Sequence, residues 1–333
     1  MDTFRIGVIG AGIMGTDHAR ILHRDVPHTQ IAMVADVDDQ RARDLAAEFP
    51  DCAATVDPHE LIASDRVDAV VIASSDPTHA EYVHACLAAR KPALCEKPLA
   101  PTVGECEGIV AADREASAAG PRLVSVGFMR RFDVGYTQIR GRITDGSIGV
   151  PLMVHSVGRG VRTTVGTSEF SITGSAIHDF DVIPWLLDSP VVEVSWLAPR
   201  SSPDVHDRQD PQFILLRTAD GVLSTVDIFL NAVYGYDTRC EVVGSRGAVS
   251  LTEPVTVVTD AALGRTMQYG QDWRPRFADA YRRQDRAWVQ SLCAGTASPL
   301  ATSEDGLRAA LVADTVIESM RSGSGFVPVP SIT

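Results

Sequence analysis

Two short stretches put reactive side chains where packing does not call for them. Ala93-Leu94-Cys95-Glu96-Lys97-Pro98-Leu99 is an apolar run that ends in an acid, a base and a proline. Pro98 removes a backbone donor and biases Lys97 away from helical geometry, so the strand stops there. Lys97 is then held at a strand tip, where open α/β sheets present ligand-contacting groups. Cys95 reads as a buried, inert strand thiol, and Lys97–Pro98 is a candidate cis peptide. The second stretch is Ile177-His178-Asp179-Phe180-Asp181, in a helix expected over 175–187 after the breaker Thr173-Gly174. His178 and Asp181 are three apart and share a face, with Asp179 about 100° away. A first-turn histidine is disfavoured as the imidazolium by the helix dipole, and a neutral imidazole near pH 7 can act as a general base.

The elements that must position Lys97 are legible upstream. Arg5 to Gly10 reads as a short buried strand running into Gly10-Ala11-Gly12-Ile13-Met14-Gly15 and then a helical pattern. In that context Gly10 permits a tight turn, Gly12 lets a pyrophosphate approach the backbone, and Gly15 lets helix pack on strand. The first helical amides, those of Ile13 and Met14 among them, face the phosphates with the positive end of the dipole. A second strand, 31–36, ends in Asp36, 21 residues after Gly15. An acid there accepts hydrogen bonds from adenosine ribose hydroxyls and repels a 2′-phosphate, and Val37-Asp38-Asp39 follow with no arginine, so NAD is favoured over NADP. The apolar run 68–73 is a buried parallel strand ending in Ser74-Ser75-Asp76-Pro77-Thr78-His79. Ser74 and Ser75 are placed to border a nicotinamide ribose, with His79 structural or adjacent to the cofactor. Lys97 and Glu96 end the next strand, and a helix over 103–118 and a strand over 123–127 complete a doubly wound half.

After Phe132 the alternation of helix and parallel strand disappears. A short helix near 139–143 and an extended segment 152–159 precede strands expected at 191–197, 213–217, 222–230, 238–243, 248–251 and 255–258. Turns such as Ala219-Asp220-Gly221 join them, a pattern of an antiparallel sheet in an α+β domain. Two helices, about 277–292 and 304–320, close the chain, with Phe277, Tyr281 and Trp288 as core. The expected division is a dinucleotide-binding domain over 1–126 and an α+β domain for substrate and oligomer contacts over 127–333.

Composition bounds the function. The 333 residues exceed one ordinary core, and 45% hydrophobic with 22% charged residues fits a globular protein. A net charge of −13 argues against nucleic acid or an anionic membrane surface, and no apolar run approaches a membrane span. The N-terminus goes straight into a strand without a signal-peptide pattern. Six cysteines at 52, 86, 95, 106, 240 and 293 are scattered without a Cys-x-x-Cys pair, which fits reduced thiols in a cytoplasmic protein and no thiolate metal site. No metal is expected.

Taken together, the glycine fingerprint, Glu96-Lys97-Pro98 and Gly127-Phe128-Met129-Arg130-Arg131-Phe132 resemble the glucose–fructose oxidoreductase/inositol dehydrogenase (Gfo/Idh/MocA) family. Ile177-His178-Asp179-Phe180-Asp181, Asp210-Pro211-Gln212, Tyr234-Gly235-Tyr236-Asp237, Glu241-Val242-Val243-Gly244 and Asp272-Trp273 resemble its inositol 2-dehydrogenase branch. The resemblance spans essentially the whole chain. It implies a Rossmann domain, an open-faced and mostly antiparallel sheet used in a homo-oligomer (tetramer or dimer), and NAD-dependent oxidation of a cyclic polyol. It further implies His178 as base, Lys97 stabilising the reacting oxygen, and Met129, Arg130, His155, Asp179, Tyr236 and Trp273 around the substrate. A sugar or aminocyclitol dehydrogenase, and a silent dinucleotide-binding regulator, are the alternatives; retention of both Lys97 and His178 argues against the second. One position departs from the pattern. Inositol dehydrogenases usually carry Asp four residues before the catalytic His, and this chain has Gly174. Either Asp179 or Asp181 substitutes, the substrate differs, or the base is weaker.

Overall fold

The computed structural model describes residues 3–118, 120–161, 166–252, 257–323 and 325–332. They form two compact units, Met1–Met129 with Ala280–Ala310, and Arg130–Asp279 with Leu311–Thr333. The expected contiguous split near residue 126 therefore omits a long return, because the segment 280–310 packs with the first unit.

The first unit follows the doubly wound plan. Strands β1 (Phe4–Ile9), β2 (Thr29–Ala35), β3 (Ala53–Thr55), β4 (Ala69–Ile72), β5 (Ala93–Cys95) and β6 (Val124–Val126) are parallel. Between them run α1 (Ile13–Asp25), α2 (Asp39–Ala46), α3 (Pro58–Ala63), α4 (His79–Ala88) and α5 (Val103–Ala116). β4, β5 and β6 are buried throughout, which is why they read as unbroken apolar runs.

The second unit holds α6 (Val134–Thr144), β7 (Pro151–Arg159), α7 (Ser168–Phe170) and α8 (Ile177–Leu187). Then come β8 (Val191–Leu197), β9 (Gln212–Thr218), β10 (Leu223–Phe229), β11 (Asp237–Gly244), β12 (Gly247–Ser250), β13 (Val258–Ala261) and β14 (Gly264–Met267). The chain ends with α9 (Trp273–Ala294), β15 (Ala301–Thr302), α10 (Ser303–Ser322) and β16 (Val327–Pro328). Of the strand expected over 255–258, residues 255 and 256 lie outside the described residues, and Val258 opens the exposed hairpin β13–β14.

The first sheet has the order β15-β6-β5-β4-β1-β2-β3, with β15 antiparallel. Strand order reverses between β1 and β4, and the carboxyl ends of flanking strands open a crevice there. The second sheet has the order β12-β11-β7-β10-β9-β8-β16 and is antiparallel except for β7 against β10. One face is apolar and buried, with Val154, Ile214, Leu216, Val226 and Val242. The other carries His155, Thr225, Asp227 and Arg217 and is partly exposed. Among the described residues no helix is long and apolar enough to cross a membrane.

Candidate active site

In the first unit the glycine loop has the geometry its spacing implies. Gly10 has φ +95°, and a Cβ there would sit 2.5 Å from the Ala73 carbonyl oxygen. A Cβ on Gly15 would sit 1.7 Å from the Gly10 oxygen, so that close approach of helix to turn admits only glycine. Gly12 faces open space instead. It is the N-cap of α1 with no side-chain cap and no acid in the first turn, so no side chain competes for the amides there.

Asp36 closes the opposite side. Its Oδ2 accepts from the Ala11 N–H at 2.7 Å and its Oδ1 from the Asp38 N–H at 2.9 Å. The helix that follows is capped by Asp38, so Asp36 keeps its remaining lone pairs for the cleft. That cleft has a volume of about 360 Å³ and is bordered by Gly10, Gly12, Asp36, Ser74 and Ser75. Arg41, Thr78 and Tyr82 also border it and were not foreseen. Arg41 lies in the first turn of α2, five residues past Asp36, a placement that helical geometry could have signalled. His79 is buried beside the cleft, its Nδ1 facing the Pro98 oxygen at 2.7 Å and its Nε2 the Ser74 oxygen at 3.2 Å. It ties the loop after β4 to the exit of β5.

That exit is Glu96-Lys97-Pro98, and the Lys97–Pro98 peptide is cis, as is Asp210–Pro211 in the second unit. β4 and β5 pair with Ile72 opposite Cys95, so in that register Lys97 leaves the sheet at the level of Ser74, just past the end of β4. Glu96 is buried, Lys97 half-buried, and the Lys97 N–H donates to Glu96 Oε2 at 3.2 Å. Burial, reinforced by the Glu96 charge, raises the Cys95 thiol well above its ordinary value, so it stays protonated and inert.

In the second unit the neighbourhood of His178 differs from expectation. The chain is already helical from Ser168, through α7 and a π-helix over Ser171–Ala176, before α8 begins. The Ile177 N–H bonds back to the Ile172 oxygen, five residues earlier. His178 thus lies inside a continuous helical run, and the free first-turn amides that would disfavour its protonation are not there. The π turn also spans Gly174, which does not break the helix; a Cβ at Gly174 would lie 3.3 Å from Cζ of Phe170.

The two acids after His178 each hold one of two consecutive arginines. Arg130 Nη1 donates to Asp179 Oδ1 at 2.7 Å, and Ser156 Oγ donates to the same oxygen at 2.6 Å. Burial opposes the Arg130 charge, but Asp179 outweighs it and raises the guanidinium's pKa. Arg131 forks onto Asp181 at 2.5–3.1 Å. Asp181 is therefore committed to Arg131, whereas Asp179 Oδ2 and Arg130 Nε are buried without a hydrogen-bond partner among the described residues. Tyr236 is half-buried, its ring edge-on to Phe277 at 6.5 Å, and burial raises its phenol. Trp273 opens α9, half-buried. His155 stands apart from this group. It lies on the exposed face of β7, bonded to Thr225 Oγ1 at 3.1 Å, while its neighbour Ser156 points to Asp179. Met129 is buried at the end of the first unit's N-terminal segment.

Residues 4–127 match the model of the Gfo/Idh/MocA oxidoreductase family's NAD-binding Rossmann fold, and residues 136–250 match the family's C-terminal domain. The chain belongs to the Gfo/Idh/MocA family. It is an NAD-binding oxidoreductase, and the loop, cleft and Asp36 described above fit that cofactor: open amides at α1, a Cβ-free approach at Gly12 and an acid on the ribose side. Among curated relatives within the family, inositol 2-dehydrogenase 2 of Paenarthrobacter aurescens is 51% identical over 96% of both chains. Inositol 2-dehydrogenase 1 of Saccharopolyspora erythraea is 43% identical over 97% of this chain and 95% of its own. A solved structure of myo-inositol dehydrogenase from Lactobacillus casei with NAD(H) and myo-inositol superposes with a TM-score of 0.94 at 26% identity, covering 99% and 98% of the two chains.

Proposed function

We propose that this family member oxidises a secondary hydroxyl of a cyclic polyol, myo-inositol to 2-keto-inositol, with NAD. The observation that carries the reading is the register of β5 on β4, which brings Lys97 out beside the Ser74 edge of the nucleotide cleft. The inositol 2-dehydrogenases at 51% and 43% identity support the substrate class.

When bound, NAD supplies the hydride acceptor, the nicotinamide C4. The protein supplies orientation and proton transfer. A ring nitrogen of His178 takes the hydroxyl proton, and Lys97 Nζ donates a hydrogen bond to the oxygen as negative charge develops on it. Arg130, Asp179, Tyr236 and Trp273, with Met129 as apolar wall, bind the ring. His155 and the partly exposed sheet face around it belong to a homo-oligomer contact in this reading, which light scattering can test.

Gly174 favours a second reading, a sugar or aminocyclitol substrate for the same chemistry. Reduced cofactor followed over a panel of inositols, aminocyclitols and sugars, with NAD and NADP, separates the two. In the first reading myo-inositol with NAD gives the highest kcat/KM, and His178→Ala lowers kcat about a hundredfold or more. Turnover of the variant within a few-fold of the parent sinks the base assignment, and no turnover with any polyol points to a regulator.

A further inference from the structure

We infer that His18 is a positioning residue for Lys97, acting through Glu96 as the centre of a buried carboxylate–imidazolium–carboxylate bridge. The inference rests on the role proposed above for Lys97. His18 lies on the inner face of α1, buried, as are Glu96 at the β5 tip and Asp285 on α9. Its Nε2 is 3.0 Å from Glu96 Oε1, and its Nδ1 is 2.9 Å from Asp285 Oδ2 and 3.0 Å from Oδ1.

The proton count decides the ring's state. A neutral imidazole donates through one nitrogen and accepts through the other, so one carboxylate would meet a lone pair. Glu96 Oε2 already accepts the Lys97 N–H, leaving Oε1 for His18. An imidazolium donates through both nitrogens, so each carboxyl group meets an N–H. The groups facing the ring are Glu96 from β5, and Asp285 and Tyr281 from α9, the Tyr281 ring edge-on at 5.6 Å. Burial disfavours the charged ring, but Asp285 and then Glu96 overcome it and push its pKa up to about 10.

The consequence falls on Lys97. Glu96 is folded back so that its two oxygens hold the Lys97 backbone and the α1 ring at once. Gly127 leaves room for this, since a Cβ there would come 3.1 Å from Glu96 Oε1. Without the imidazolium the carboxylate loses its anchor, and the β5 tip loses the contact that fixes where Lys97 leaves the sheet. None of the three lines the nucleotide cleft, so KM for NAD is expected to change little.

The test compares His18→Gln, Glu96→Gln, the double variant and Lys97→Met in the full chain, with ¹⁵N NMR of the parent's imidazoles. The expected results are a doubly protonated His18 ring from pH 6.5 to 9, and a kcat loss of about tenfold or more in His18→Gln with KM for NAD little changed. The double variant should lose no more than Glu96→Gln alone, because both act through one bridge. A neutral ring, additive losses, or a KM effect equal to the kcat effect overturns the inference, and the ring state decides even if a variant fails to fold. If Lys97→Met keeps near-parental kcat, the proposed function fails instead. If Lys97→Met is inactive while His18→Gln is unaffected, only the positioning role fails.

Discussion

The Ala11 N–H donates to Asp36 Oδ2 at 2.7 Å, so the glycine loop after β1 and the acid that follows β2 are locked together. The carboxylate is thereby oriented before any nucleotide arrives, which limits the ordering cost of ribose binding. Replacing Asp36 by Ser removes charge-assisted hydrogen bonds worth about 1.5–3 kcal/mol to the ribose. Steady-state kinetics should show kcat/KM for NAD falling about 10- to 100-fold. The NADP/NAD ratio should rise, because the repelling charge is gone and Arg41 borders the same cleft. An unchanged NAD preference would place the ribose elsewhere.

Arg130 and Asp179 form an ion pair that water does not reach, at 3% and 0% exposure. Removing one partner leaves the other charged and buried, at a cost of about 3–5 kcal/mol. Asp179→Asn should therefore lower the unfolding free energy by that amount in denaturant titrations. Arg130→Met with Asp179→Leu should recover most of the loss. Equal destabilisation in the single and double variants would mean that packing, not charge, dominates here.

Gly174 stands four residues before His178, and the Phe170 ring covers the space a side chain would take. That ring is 47% exposed and can swing outward. Gly174→Asp then brings a carboxylate next to His178. A nearby negative charge stabilises the imidazolium and raises its pKa, and the base works only when deprotonated. The rise of kcat/KM should accordingly move to higher pH by about one unit, with no shift in Gly174→Asn. Coincident profiles for the three proteins would separate residue 174 from the base.

How far these features were legible depended on the range of the interactions behind them. The Rossmann strands could be read because doubly covered strands such as Ala69–Ile72 are apolar at every position. Strand Val191–Leu197 was found to the residue, and Asp36 and Ser74 followed from glycine spacing and strand ends. The π turn over Ser171–Ala176 was not legible, since Thr173-Gly174 reads as a breaker, and only the i−5 bond from Ile177 reveals a continuous helix. The return of 280–310 to the first unit was hidden for another reason. α9 is one amphipathic helix, and nothing in its period says that Phe277 and Trp288 serve different units. His18 was passed over as a helix residue, because its partners lie 78 and 267 positions away.

The His18 bridge also predicts how stability depends on pH. The ring's pKa rises from an ordinary 6.5 in the unfolded chain to about 10 when folded. A group raised on folding binds its proton more tightly in the native state, so its contribution is complete below pH 6.5. Between pH 6.5 and 10 the unfolded chain has released the proton while the native state still holds it, and stability falls with rising pH. Above the folded pKa the contribution is gone. The difference in unfolding free energy between the parent and His18→Gln isolates this group from others that titrate in the same range. That difference should be constant from pH 5.5 to 6.5 and then shrink by a few kcal/mol as pH approaches 10. A difference that grew with pH would mean a neutral native ring, with one of its two nitrogens unprotonated.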